Sequence, residues 1–164
     1  MPKLSSDQKY KLVKIMNDHI PHTASLGVQV ESIVDEEITL RLPYQDILVG
    51  DAATGTLHGG VLTVLLDQTL GMATVCSDTA QPAVTPTLDL RIDHLGVAPA
   101  GLDIFASARV YKSTRKILFV EGIAYYKSKE NPVAKATGTF VRVGDVDLSW
   151  LVTPEHKDIE GLLK

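Results

Sequence analysis

Residues 54 to 74 read TGTLHGGVLTVLLDQTLGMAT, and this stretch restricts the fold more than any other. Val61, Leu62, Val64, Leu65, Leu66, Leu70 and Met72, with Val75 just beyond, fall on every side of a helix rather than on one stripe. A helix that is apolar all round is normally buried all round. The rest of the chain must therefore supply a wrapping for it. Two features interrupt the apolar surface: the carboxylate Asp67, and the pair Gly59 and Gly60 at the helix mouth.

The flanking segments supply strands. From a cap at Ser5 or Ser6, the run Tyr10, Leu12, Val13, Ile15, Met16 and Ile20 has helical spacing, and Pro21 is expected to stop it. GVQVESIVDEEITLRLPY then alternates around an Asp35-Glu36-Glu37 turn, which predicts a hairpin. Residues 45–56, rich in Gly, Ala, Asp and Thr, read as a loop. After the central helix, DTAQPAVTP breaks the chain. Four strand-like runs follow, Thr87–Leu95, Leu102–Tyr111, Ile117–Tyr126 and Val133–Val143, spaced as an antiparallel meander. The expectation is an α+β domain in which an antiparallel β-sheet of five or six strands covers one long helix. We read residues 1–164 as a single domain, with an N-terminal helix at about 5–20, a core at about 25–143 and a tail at 144–164 that ends in a short helix.

Asp67 shares its helix stripe with Gly60, Thr63, Gly71 and Thr74, all small. Such a stripe marks a close approach by a second helix or a ligand. An unpartnered buried carboxylate costs several kcal/mol or gives up its charge. Asp67 is thus half exposed at a helix edge, or pairs with an arginine, or is a group with a task. At the mouth, first-turn N–H groups lack intrahelical acceptors and lie at the positive end of the dipole, which suits an oxyanion or a polarised carbonyl. A loop that only needs glycine flexibility would look the same. From His58 to Asp67 is nine residues, roughly 13 Å along the axis and about half a turn out of phase. The two places in one chain cannot meet on one small carbonyl. If both serve one reaction, a second copy of the chain must contribute, and antiparallel central helices in a two-fold dimer would do this.

Charge and composition narrow the partners. The net charge of −4 lacks the basic excess that phosphate backbones require, so nucleic acid is not expected as a partner. No run reaches the roughly 20 apolar residues of a bilayer span, and MPKLSSDQKYKLVKIM carries charges where a signal peptide is apolar. A cytoplasmic location without membrane attachment is the expectation. Cys76, the single cysteine, reads as a small buried hydrophobe. His19, His22, His58, His94 and His156 show no ligand spacing, so no metal is expected. His94 reads as a half-buried strand residue.

The element order, together with GTLHGGVLTVLLDQTLGMA, TLDLRIDHLGVAPAG and VAKATGTFVRV, resembles the hotdog-fold thioesterases, specifically the PaaI-like (phenylacetate-pathway) acyl-CoA thioesterase family, over roughly residues 25–143. The family pattern is a glycine, two residues, His-Gly-Gly, and an acid nine positions after the histidine; here these are Gly55, His58, Gly59, Gly60 and Asp67. The resemblance implies that Asp67 is the general base or nucleophile and that the N–H of Gly60 or Gly59 polarises the thioester carbonyl. It gives His58 an orienting role and makes Thr87, or next Thr85, the hydroxyl that positions water. Many relatives carry asparagine six residues before the histidine, where this chain has Ala52. Lys112, Arg115 and Lys116, in a turn between strands, could grip a CoA nucleotide or merely be solvated. The implied enzyme is a homodimer with shared active sites, assembled as a dimer of dimers, that hydrolyses acyl-CoA and needs no cofactor beyond the CoA of its substrate. A non-catalytic acyl-CoA-binding protein and a hydratase or dehydratase are the alternatives on the same scaffold.

Overall fold

The computed structural model describes residues 4–77 and 85–143. The expected tail helix beyond 144 lies outside the described residues. Helix α1 (Ser6–His19) opens on a capping box, in which the Gln8 N–H donates to Ser5 Oγ at 3.3 Å and the Ser5 N–H donates to Gln8 Oε1 at 2.9 Å. Pro21 ends this helix as expected, and also starts a further turn, α2 (Pro21–Ser25). Proline suits the first helical position, where its missing N–H leaves nothing unpaired.

Strands β1 (Gln29–Val34) and β2 (Glu37–Leu42) form the hairpin, with Asp35 in the left-handed region at φ 55°. The segment read as a loop holds more order than its composition suggests: a 3-10 turn at Asp46–Leu48 and a small ribbon of β3 (Val49–Asp51) and β4 (Thr56–Leu57). Helix α3 (Gly59–Cys76) follows, then β5 (Thr87–His94), β6 (Ile104–Ser113), β7 (Ile117–Tyr125) and β8 (Ala134–Val141).

Six strands form one antiparallel sheet in the order β1-β2-β6-β7-β8-β5. This corrects the expected four-strand meander: β6, β7 and β8 are consecutive neighbours, but β5 pairs with β8 at the far edge. The cause is α3, which leaves the β2 side, crosses the inner face against β2, β5, β6, β7 and β8, and delivers the chain to the opposite edge. The result is the hotdog arrangement, with the sheet wrapped on a central helix.

Ten of the 18 residues of α3 are buried, among them Leu65, Leu66 and Leu70 at 0–1% exposure. By length and composition alone this helix could also cross a bilayer, but here its apolar surface packs on the sheet. The strands make room for it with small residues. A Cβ built on Gly122 would stand 2.7 Å from Leu70 Cδ1, and one on Gly138 3.2 Å from Leu70 Cδ2. Cys76 closes the helix as a buried thiol, and burial pushes its pKa up to about 12. A thiol so far from ionisation is a poor nucleophile at neutral pH.

Candidate active site

The helix mouth is built by its cap. His58 has extended backbone, and its Nδ1 accepts the Gly60 N–H at 3.0 Å, which leaves the proton of the neutral ring on Nε2. The Gly60 N–H is thereby used. The Gly59 N–H, first in the helix, has no intrahelical acceptor and is the donor that remains for a ligand. Of the two glycines the sequence offered for this role, the geometry favours Gly59.

The surrounding turns fix this mouth. The Leu57 N–H donates to the Ala98 carbonyl at 3.1 Å, and the His58 N–H to that of Leu48 at 2.9 Å. Gly55 adopts φ +70°, with its carbonyl accepting the Tyr44 hydroxyl at 3.0 Å and Ala100 pressed close against it. Its place in the motif is accounted for by the turn. Gly50 was missed in the sequence: a Cβ there would lie 2.7 Å from His58 Cα, so glycine lets β3 pass beneath the cap. Asp51 does not stand in for the family's asparagine at Ala52. Its carboxylate accepts from Thr54 Oγ1 at 2.8 Å and the Ala53 N–H at 2.9 Å, and these bonds, the hydroxyl first, hold its pKa below the usual carboxylate range.

Asp67 occupies a different place. It is half-buried on α3 and its Oδ1 accepts the Thr87 hydroxyl at 3.0 Å. No arginine pairs with it among the described residues, which sets aside the arginine pairing, whereas its half-exposed place on the helix is as the sequence allowed. About two turns further along α3, Thr74 Oγ1 and Thr85 Oγ1 are 2.6 Å apart. Asp67, Thr85 and Thr87 line a cleft of about 240 Å³ whose remaining wall is largely apolar: Met16 from α1 and Ile20 just after it, Met72 and Val75 from α3, and Phe140 from β8. Helix α1 is held there by Asn17, whose Nδ2 donates to the Val28 carbonyl at 2.8 Å and whose Oδ1 accepts from Gln68 Nε2 at 3.4 Å.

Mouth and carboxylate are joined by β5, which runs back along α3. Thr87 begins this strand beside Asp67, and His94 ends it beside Gly59. The structure therefore brings Thr87 to Asp67 and keeps both apart from His58, Gly59 and Gly60. His94 is exposed, not half-buried as its strand pattern suggested. Lys112, near the end of β6, and Arg115 and Lys116, in the β6–β7 turn, are exposed at the end of the sheet where β5 begins, and none of them lines the cleft.

Comparison with known proteins bears on this geometry. A family model described as the thioesterase superfamily matches residues 54–131, which include the mouth, Asp67, Thr85 and Thr87. The chain is 26% identical over 151 residues to the medium/long-chain acyl-CoA thioesterase YigI of Escherichia coli, covering 84% of this chain and 96% of that one. A crystal structure of a Pseudomonas aeruginosa protein superposes with a TM-score of 0.75 at 34% identity, covering 82% of this chain and 99% of that one. The PaaI protein of the E. coli phenylacetic acid degradation operon superposes with a TM-score of 0.73 at 18% identity, covering 85% and 96%, a likeness of fold.

Proposed function

The chain belongs to the thioesterase superfamily, and from that premise we propose that it hydrolyses an acyl-CoA thioester to the free acid and CoA through the Asp67 carboxylate and the Gly59 N–H. The observation that carries the residue assignment is the carboxylate of Asp67, held by the Thr87 hydroxyl at the wall of an apolar cleft. A thioester is already activated, so it needs a polarised carbonyl and an activated water but no stronger nucleophile. In the proposed reaction a water gives its proton to Asp67 while its oxygen bonds to the carbonyl carbon. The C–S bond then breaks and CoA leaves as the thiolate. No cofactor is required beyond the CoA that the substrate brings, and we propose a cytoplasmic location.

The active site is proposed to form between two copies of the chain. His58, Gly59 and Gly60 are exposed, whereas hydrogen bonds to a developing oxyanion gain most of their strength where water is excluded. Among the described residues strand β5 is paired on one side only, and such an edge of eight residues invites a partner. A two-fold axis through the middle of β5 would set Thr87 and Asp67 of each copy opposite the mouth of the other. Two such sites per dimer, and a dimer of dimers, follow the same reading. A monomer in analytical ultracentrifugation with full activity would overturn it.

The deciding experiment is thiol release from short, medium, long and aryl acyl-CoAs. Turnover of any of them supports the reading, while tight binding of acyl-CoA without turnover would replace it with a silent binder. The cleft lining, with Met16, Ile20, Met72 and Val75, favours aliphatic acyl chains. Thr87→Val is expected to lower kcat by roughly 2- to 13-fold, the worth of one hydrogen bond of about 0.5–1.5 kcal/mol, with Thr87→Ser restoring it. We also propose that Lys112, Arg115 and Lys116 grip the CoA nucleotide. Replacing all three with alanine should then raise KM for acyl-CoA and leave KM for the matching acyl-N-acetylcysteamine unchanged; an unchanged KM for both would dismiss the grip.

A further inference from the structure

The hydrogen bond from Gly60 to His58 leaves the helix mouth with one backbone donor for a carbonyl oxygen, the Gly59 N–H. Sites that stabilise an oxyanion commonly aim two or more donors at it. The nearby loop offers little. Ala52 has no polar side-chain atom, Asp51 is anionic, and Thr54 and Thr56 are spent on each other and on Asp51.

His94 is differently placed. It stands at the end of β5 with Cε1 and Nδ1 at 3.5 and 3.9 Å from the position a Cβ on Gly59 would take. Among the described residues neither ring nitrogen has a hydrogen-bond partner, so the imidazole is uncommitted. A Cβ on Gly59 would meet nothing tighter than this ordinary contact, and Gly59 has no positive φ. The fold therefore does not demand glycine there. What glycine leaves open is the space a Cβ would take between its backbone and the His94 ring.

We propose that the His94 imidazole N–H is a second donor to the thioester carbonyl oxygen, facing it together with the Gly59 N–H of the same chain. This rests on the thioesterase reading above. As the oxygen gains negative charge on attack by water, the ring shares the charge with the backbone donor and hands it back when the C–S bond breaks. His94 makes no covalent bond and transfers no proton.

The test compares His94→Phe, which keeps the ring's shape without a donor, with His94→Gln, which restores an N–H. With acyl-CoA, His94→Phe is expected to lower kcat by about 10²-fold, the scale for loss of one such donor, and to change KM by less than about threefold. His94→Gln should recover most of the loss. A kcat for His94→Phe within threefold of the wild type overturns the proposal. So does a loss seen with CoA esters but absent with a nitrothiophenol ester, because the ring would then be protonating the departing sulfur. Binding gives a readout independent of turnover. A ketone analogue with CH₂ in place of sulfur should bind the wild type at least tenfold more tightly than the same ligand with CH₂ in place of the carbonyl, and His94→Phe should lose that preference. A wild type that keeps the preference without turning over acyl-CoA refutes hydrolysis and leaves the His94 contact standing; a wild type that binds neither analogue refutes both.

Discussion

Asp67→Asn is expected to reduce kcat for acyl-CoA hydrolysis by about 10²- to 10⁴-fold, the range of a positioned acid or base. Asparagine has the same shape, and its amide oxygen can still accept the Thr87 hydroxyl that Asp67 Oδ1 accepts at 3.0 Å. What disappears is the negative charge and the capacity to take a proton from water or to attack carbon. Because the side chain is half-buried and lines the cleft rather than the core, the change should be worth no more than about 0.5 kcal/mol in stability and shift Tm by about 2 °C or less. The measurement is steady-state thiol release beside a thermal melt and sedimentation of the same preparation. Retained turnover with an intact fold would move the chemistry to another group. Lost turnover together with a lowered Tm would mean that Asp67 supports the helix rather than the reaction.

The largest effect on stability is expected at Leu70. It is fully buried at the centre of α3, with one methyl over Gly122 of β7 and the other over Gly138 of β8. Leu70→Ala removes those contacts and leaves a cavity against strands that have no side chain to fill it, an expected loss of about 2–5 kcal/mol. In a chain of this size that is a drop in Tm of roughly 4 to 20 °C. Gly122→Ala errs in the opposite direction, since its Cβ would lie 2.7 Å from Leu70 Cδ1 and 2.9 Å from the Ser107 carbonyl oxygen, an overpacking of about 1–3 kcal/mol. Combined, the two changes should cost less than their sum, because alanine at 122 enters space that leucine has vacated. The recovery should be incomplete, since the Ser107 oxygen does not move away with Leu70. Strictly additive losses would show that helix and sheet do not share that space.

The wrapped helix was legible because its apolar residues leave no free face, and the strands because each run is bounded by Gly, Pro and charged turns. Neighbour order was not, since alternation sets which face a strand buries but not which strand lies beside it. The position of β5 at the far edge follows from the path of α3, a tertiary fact. At the site, the spacing of His58 and Asp67 already separated mouth from carboxylate by roughly 13 Å. The sequence reads His94 only as a half-buried strand residue, because strand periodicity says nothing of what lies beyond a strand's end. Its proximity to Gly59 appears only once β5 is known to run back along α3. Asn17 escaped for a related reason: within α1 it is one more polar residue, and its bonds to Val28 and Gln68 join parts of the chain that local pattern cannot relate.

The far-edge placement of β5 also sets a timetable for synthesis. Helix α3 is complete at Cys76, but three of the strands that cover it, β6, β7 and β8, end only at Val141, 65 residues later. At about 5–20 residues per second, roughly 3 to 13 seconds of translation separate the helix from its cover. For that interval the most apolar segment of the chain is held by α1 and the β1–β2 hairpin alone. A nascent chain stalled after α3 has left the ribosome but before β8 has emerged should therefore be the form most readily captured by a chaperone that binds exposed leucine and valine, and capture should end once β8 has emerged.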